Sequence, residues 1–220
     1  MARVSWPVGA LFGIGLAVVI TLAGPLRLFN PLFTSVLQAR HDVAVAFDTS
    51  QADVDRVTGE ILGDLFVGGT FDAALAGDAP LLNERERWHM GDVSRLVQVL
   101  LGVTLVAFVV AVVTGRRLRS EPRRQGRIML SAAGAIGAVA LVLAAIFAVA
   151  FDAAFLAFHQ VFFPPGTYLF ESGSQLITLF PGGFWFDASL AAGAAIVVTA
   201  VVVAYVGFRR WRDAQTSARP

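Results

Sequence analysis

Two histidines have neighbours that could give them chemical work. His89 stands in Glu86-Arg87-Trp88-His89-Met90-Gly91-Asp92, with a carboxylate three residues to either side. At helical spacing Arg85, Glu86, His89 and Asp92 share a sector of about 120°. A neutral imidazole can take a proton at one nitrogen while a carboxylate orients the other, so this face could build a general base. The same spacing also suits ordinary ion pairs at a charged helix end. His159 sits among Phe155, Phe158, Phe162 and Phe163, on the same helical stripe as Asp152. It could equally be a headgroup-level residue in an aromatic belt, although such belts favour Trp and Tyr. His41, in Gln38-Ala39-Arg40-His41-Asp42, has no comparable setting and reads as a surface residue.

The residue types that are missing narrow the chemistry. The chain has no Cys, and all 17 of its Lys-plus-Arg residues are Arg. Disulfides, thiolate ligands, a Cys nucleophile, Schiff-base chemistry and a Ser-Lys dyad are therefore excluded. His89, His159, Asp92 and Glu86 could supply mixed N/O ligands to zinc, but there is no HExxH helix and no paired His at ligand spacing. Neither a metal nor a cofactor is expected. No GxSxG elbow exists, and Gly173-Ser174-Gln175 reads as a turn.

The elements that position these residues are membrane helices. A hydrocarbon core about 30 Å thick needs roughly 20 apolar residues at about 1.5 Å each. Residues 4–26, 96–115, 128–151 and 188–208 meet that length without one Asp, Glu, Arg, Lys or His. The first run is too long for a signal-peptide core and lacks a small-residue cleavage site, so it is read as a retained helix. Short flanks rich in Arg face the cytoplasm. Arg3, the six Arg of residues 116–127, and Arg209, Arg210, Arg212 and Arg219 thus place both termini and the middle loop inside.

The expected architecture is an all-α integral membrane protein. Residues 1–26 form the N-terminus and first span, 27–95 an extracytoplasmic helical loop, and 96–115 the second span. An Arg-rich cytoplasmic loop follows at 116–127, then the third span at 128–151 and an aromatic-rich extracytoplasmic loop at 152–187. The fourth span at 188–208 leads into a cytoplasmic tail at 209–220. All three histidines then fall on the outer side, in two folded loops that form a small cap. The first outer loop carries six Arg against eleven acids, so no basic surface for nucleic acid is available there. Spans without midplane ionisable groups also argue against ion-coupled transport.

Local signals divide the outer loops further. Ser50 and Asp53 resemble a capping box, and Val54, Val57, Ile61, Leu62 and Leu65 recur at helical spacing until Gly68-Gly69. From Asn83 the pattern runs into the second span, as an outward extension of its helix. Asp152, Phe155, Phe158, His159 and Phe162 mark another helix, ended by Pro164-Pro165. Gly166, Gly173 and Pro181-Gly182-Gly183 read as turns.

The block Leu82 to Val93, the block Phe155 to Phe163 and the later Leu176-Ile177-Thr178-Leu179-Phe180-Pro181 together resemble the family of small four-span bacterial membrane proteins that includes the lipoprotein intramolecular transacylases. Trp is usual in that family where Tyr168 stands, and Asp where Ser174-Gln175 stands. The resemblance implies transfer of an acyl chain from the sn-2 position of a diacylglyceryl lipoprotein to the α-amino group of its N-terminal Cys. It implies His89 and His159 as catalytic residues, with Glu86 and Asp92 in the same motif. Physical reasoning adds His89 as base, His159 or Arg85 as oxyanion donor, and Phe155, Phe158, Phe162, Phe163 and Tyr168 as the substrate-facing wall. The expected partners are a diacylated lipoprotein and membrane lipids. The competing reading is a non-catalytic protein whose outer loops bind a lipid or a partner.

Overall fold

A computed structural model describes residues 5–75, 77, 79–171 and 173–216 of the chain; Arg3, Val4 and Arg219, used above for topology, lie outside them. The described residues form helices and turns, with no strand among them. In order these are α1 (Trp6–Leu26), α2 (Pro31–Arg40), α3 (Val43–Ala46), α4 (Gln51–Val67), α5 (Glu84–Arg117), a 3₁₀ turn at Leu118–Ser120, α6 (Pro122–Val149), α7 (Phe151–Phe162), α8 (Gln175–Leu179) and α9 (Gly182–Thr216). Helices α1, α5, α6 and α9 are each long and apolar enough to cross a membrane.

Two compact units divide the chain. The first holds residues 1–25, 101–144 and 192–220. Its packing depends on small residues that let helices approach. A Cβ added at Gly126 of α6 would stand 2.5 Å from the Gly207 carbonyl oxygen of α9, and one at Gly207 would stand 2.7 Å from Met129 Cβ. Such close backbone contact is how helices associate where apolar burial alone gives no preference over lipid. The Arg-rich segment at 116–127 is largely helical. Helix α5 continues to Arg117, and Pro122 starts α6 where its missing N–H costs no hydrogen bond. Gln125 is buried, its Nε2 donating to Gly115 O at 3.0 Å and its Oε1 accepting from Arg210 at 2.7 Å.

The second unit holds residues 26–100 and 145–191, and it contains every histidine. Its core forms around α4, whose Val54, Val57, Ile61, Leu62 and Leu65 are all buried. Burying each such side chain contributes roughly 1.5–3 kcal/mol. Ser50 caps the helix by accepting from Asp53 N, and Gly68 ends it in the left-handed conformation at φ 75°. The chain then turns at Phe71, also left-handed at φ 55°, where Asp64 Oδ2 accepts the Phe71 N–H at 2.7 Å. Leu37 of α2, Val43 of α3, Met90 of α5, Leu176 and Leu179 of α8 and Phe184 of α9 complete the core. Gln38, fully buried, donates to Thr58 Oγ1 and to Leu179 O, each at 3.0 Å, and so ties α2 to α4 and α8.

Helix α5 begins at Glu84, so Glu84 to Arg95 does run into the second apolar run as one helix. Helix α9 differs from expectation, because Gly182-Gly183 opens it six residues before the apolar run instead of forming a turn. The Trp185 N–H already closes on Pro181 O at 3.2 Å. Gly183 is required there for another reason: His41 packs against it, and an added Cβ would lie 2.5 Å from His41 Cε1.

Candidate active site

Helix α5 supplies Arg85, Glu86, His89 and Asp92, and α7 supplies Phe155, Phe158, His159 and Phe162. Both histidines and the side chains around them belong to the second unit. The two imidazoles stack with ring centroids 6.0 Å apart and planes inclined by 23°. Around them the aromatic residues form a shell. Phe163 and Phe170 meet His89 edge-on at 4.9 Å and 5.5 Å, while Phe155 and Tyr168 lie 4.4 Å and 5.4 Å from His159. Of the five expected wall residues, Phe155, Phe163 and Tyr168 thus touch the histidines directly. Phe158 reaches His159 at 5.6 Å with its outer side uncovered, and Phe162 packs on Phe158.

The two imidazoles are held differently. His159 Nδ1 lies 2.8 Å from Phe155 O. A carbonyl oxygen can only accept, so Nδ1 carries the hydrogen and the lone pair of neutral His159 sits on Nε2. His89 is 6% exposed, and its Nδ1 is buried without a hydrogen-bond partner. Glu84 to Arg95 carries seven ionisable side chains and precedes the uncharged run at 96–115 within α5. Burial lowers its pKa to about 4; repulsion from His159 adds to this, and Asp92 opposes it. His89 is therefore neutral at physiological pH.

Among the described residues no hydrogen bond joins His89 to Glu86 or Asp92, and Asp92 acts on it through charge alone. Glu86 is fully buried, and it turns to backbone and hydroxyl donors instead. It accepts from Asn83 N at 2.8 Å, from Leu176 N at 3.1 Å and from Ser174 Oγ, while Asn83 Oδ1 accepts from Glu86 N at 3.0 Å. The α5 end of this arrangement is a reciprocal capping box. The α8 end satisfies first-turn N–H groups that would otherwise be orphaned. Glu86 thus joins two helix starts. Asp92 pairs with Arg95 at 3.1 Å. Arg85 Nη2 donates to Gly166 O and Leu169 O, each at 2.8 Å, which commits it to holding the loop after α7.

His41 is a further departure, since it is not a free surface group. Its Nε2 lies 2.9 Å from Asp187 Oδ2, which Arg40 Nε also meets at 3.3 Å, and the imidazole is only a quarter exposed. Phe170, Asn83 and Ser174 also belong to the site, although their residue types do not mark them in the sequence. The Asn83-x-x-Glu86 spacing was a usable signal for the capping box; nothing local marked the other two. Among the described residues no three His, Cys, Asp or Glu side chains come together as a metal site.

The fold has solved counterparts. The lipoprotein intramolecular transacylase Lit from Bacillus cereus superposes with a TM-score of 0.82 at 16% identity, covering 96% of this chain and 97% of that one. Two variants of that protein, each with one histidine replaced, by arginine or by alanine, superpose with TM-scores of 0.78 at 14% identity. They cover 96% of this chain and 93% and 94% of theirs. At these identities the likeness is one of fold. No curated protein matches the chain. The model of the lipoprotein intramolecular transacylase Lit family matches residues 10–185, and with most of its length inside that match the chain is a multi-pass membrane protein of the Lit family.

Proposed function

We propose that this protein is an intramolecular O-to-N acyltransferase working at the extracytoplasmic face of the membrane. It would move the sn-2 acyl chain of a diacylglyceryl lipoprotein to the α-amino group of the N-terminal Cys, giving a lyso-form lipoprotein. The observation that carries this reading is the stacked pair of imidazoles, one with a defined basic nitrogen and the other neutral and buried with an orphaned Nδ1. A buried polar atom without a partner costs stability, and a substrate group can relieve that cost.

The pair suits the reaction step by step. The α-amine attacks in its neutral form, and His159 Nε2 takes the one proton its nitrogen sheds as the bond forms. The amine nitrogen bonds to the ester carbonyl carbon, and His89, as a neutral hydrogen-bond donor, faces the developing oxyanion. Collapse breaks the bond to the glyceryl oxygen, which takes the proton back from the His159 imidazolium. One ester and one amine become one amide and one alcohol, with no external reactant. Because donor and acceptor belong to one molecule, positioning supplies a large effective molarity and no covalent enzyme intermediate is needed. This assignment exchanges the roles expected from sequence, since His159 is the histidine whose tautomer is set. Arg85, occupied by two carbonyls, acts as an anchor for the loop and not as the oxyanion donor. The uncovered Leu156, Phe158, Val161 and Phe162 of α7 give the acyl chains an apolar surface.

The test is expression of the full chain in a host whose lipoproteins are diacylated, followed by mass spectrometry of N-terminal lipopeptides. Lyso-form lipopeptides are the expected product. Their absence while the chain is present in the membrane would overturn the reading.

A further inference from the structure

One turn before His89, Asn83, Glu84, Arg85 and Trp88 of the α5 start line a cavity of about 490 Å³ together with Gly166 and Thr167. Trp88 is 74% exposed, and Glu84 has no ion-pair partner among the described residues. Two observations connect this cavity to the histidines. The Arg85 guanidinium lies 5.7 Å over the Phe170 ring, whose edge meets His89 at 5.5 Å. The same guanidinium fixes the far rim by holding Gly166 O and Leu169 O. Along α5 the cavity lies on the side of His89 away from the apolar run at 96–115.

A diacylated lipoprotein has two parts of opposed solubility. Its lipid chains follow apolar surface, whereas the polypeptide that continues from the lipidated Cys has backbone polar groups that hydrocarbon cannot satisfy. Resting on the transfer reading above, we infer that this cavity receives the first residues of the peptide following that Cys and recognises their backbone. Its unpaired groups match: the Glu84 carboxylate accepts a peptide N–H, while the Asn83 amide and the Trp88 indole N–H donate to carbonyls. Each peptide residue offers one donor and one acceptor, and the Trp88 ring adds a flat surface for whatever side chain lies on it. Specificity of this site is thus for peptide presence and not for lipid.

The experiment uses the full-length protein in detergent with two synthetic substrates. One is diacylglyceryl-cysteine methylamide, and the other carries five residues after the Cys. The ratio of kcat/KM for the longer over the shorter substrate should fall about tenfold in Trp88→Ala, the loss of one well-packed aromatic contact, and fall again in Glu84→Gln combined with it. An unchanged ratio overturns the proposal. A second measurement does not depend on turnover: a lipopeptide with benzoylphenylalanine three residues after the Cys is photolysed on the protein. Crosslinks within residues 83–88 or 164–169 support the cavity as the peptide site, even if no product forms and the transfer reading fails. Crosslinks confined to other segments, or none, overturn it.

Discussion

The imidazole of His89 on α5 stacks on that of His159 on α7, and the Phe155 carbonyl fixes which nitrogen of His159 is basic. A substitution can separate the hydrogen bond of His159 from the basic role proposed for it. In His159→Asn the side-chain amide can still donate to Phe155 O, but no basic nitrogen remains. We predict unchanged expression and folding with product loss of about 100-fold to 10,000-fold, the range for removing a general base. Lipopeptide mass spectrometry and a thermal melt report the two quantities separately. Full activity in this variant would remove His159 as the base.

The depressed pKa of His89 makes stability depend on pH in a defined window. Its folded value of about 4 lies below the ordinary 6.5, so between those values the unfolded chain binds a proton at this position that the folded chain refuses. Stability rises with pH wherever the unfolded state holds more protons. The contribution is fully present above pH 6.5 and is lost progressively as the pH falls towards 4. We predict that the thermal midpoint of the wild type drops more between pH 7.5 and 4.5 than that of His89→Gln, which lacks the titrating group. Equal drops in the two proteins would remove His89 as a source of this dependence.

What could be read in advance was what neighbouring residues determine. Ser50 and Asp53 start α4 and Gly68 ends it because caps act within one helical turn. The extension of α5 ahead of its apolar run and the end of α7 before Pro164 are local in the same way. Asn30-Pro31 is an equally local start signal for α2, with the Asn30 side chain accepting from Phe33 N. The site itself was half legible: residue types named the histidines, but their partners are distant in sequence. His41 meets Asp187 across 146 residues, and Glu86 meets Leu176 across 90. Charge spacing therefore gave Glu86 to His89, whereas the fold offered the carboxylate stronger backbone donors on another segment.

Gly126 and Gly207 mark where α6 and α9 touch most closely in the first unit. The obstacle to a larger residue at 126 is backbone: the Gly207 oxygen at 2.5 Å and Trp211 N at 2.8 Å from an added Cβ. Side-chain rearrangement cannot relieve it. We predict that Gly126→Ala destabilises by about 1–3 kcal/mol, as overpacking does. Gly134→Ala, on the same helix with open space around its Cβ, should be close to neutral. Parallel melts in detergent check the pair, and equal midpoints would refute the assignment of close packing to Gly126.

Glu86 gives the sharpest contrast between a catalytic and a positioning role. Its carboxylate serves the start of α5 through Asn83 N and the start of α8 through Leu176 N and the Ser174 hydroxyl. Removing it leaves the buried Leu176 N–H and the part-buried Asn83 N–H without this acceptor, and hydrogen bonds to a charged acceptor are worth about 1.5–3 kcal/mol each. We predict that Glu86→Ala lowers the unfolding free energy by at least about 2 kcal/mol and lowers activity through loss of folded protein. Ser174→Ala keeps both backbone bonds to Glu86 but loses the hydroxyl that also caps α8 through Ile177 N, and should cost about 1–2 kcal/mol. The decisive measurement is activity per folded molecule of Glu86→Gln, with folded protein quantified by its melt amplitude. The Gln carbonyl oxygen can still accept one backbone N–H, so activity should follow the folded fraction. If Glu86→Gln were instead fully folded and inactive, Glu86 would take part in the chemistry itself.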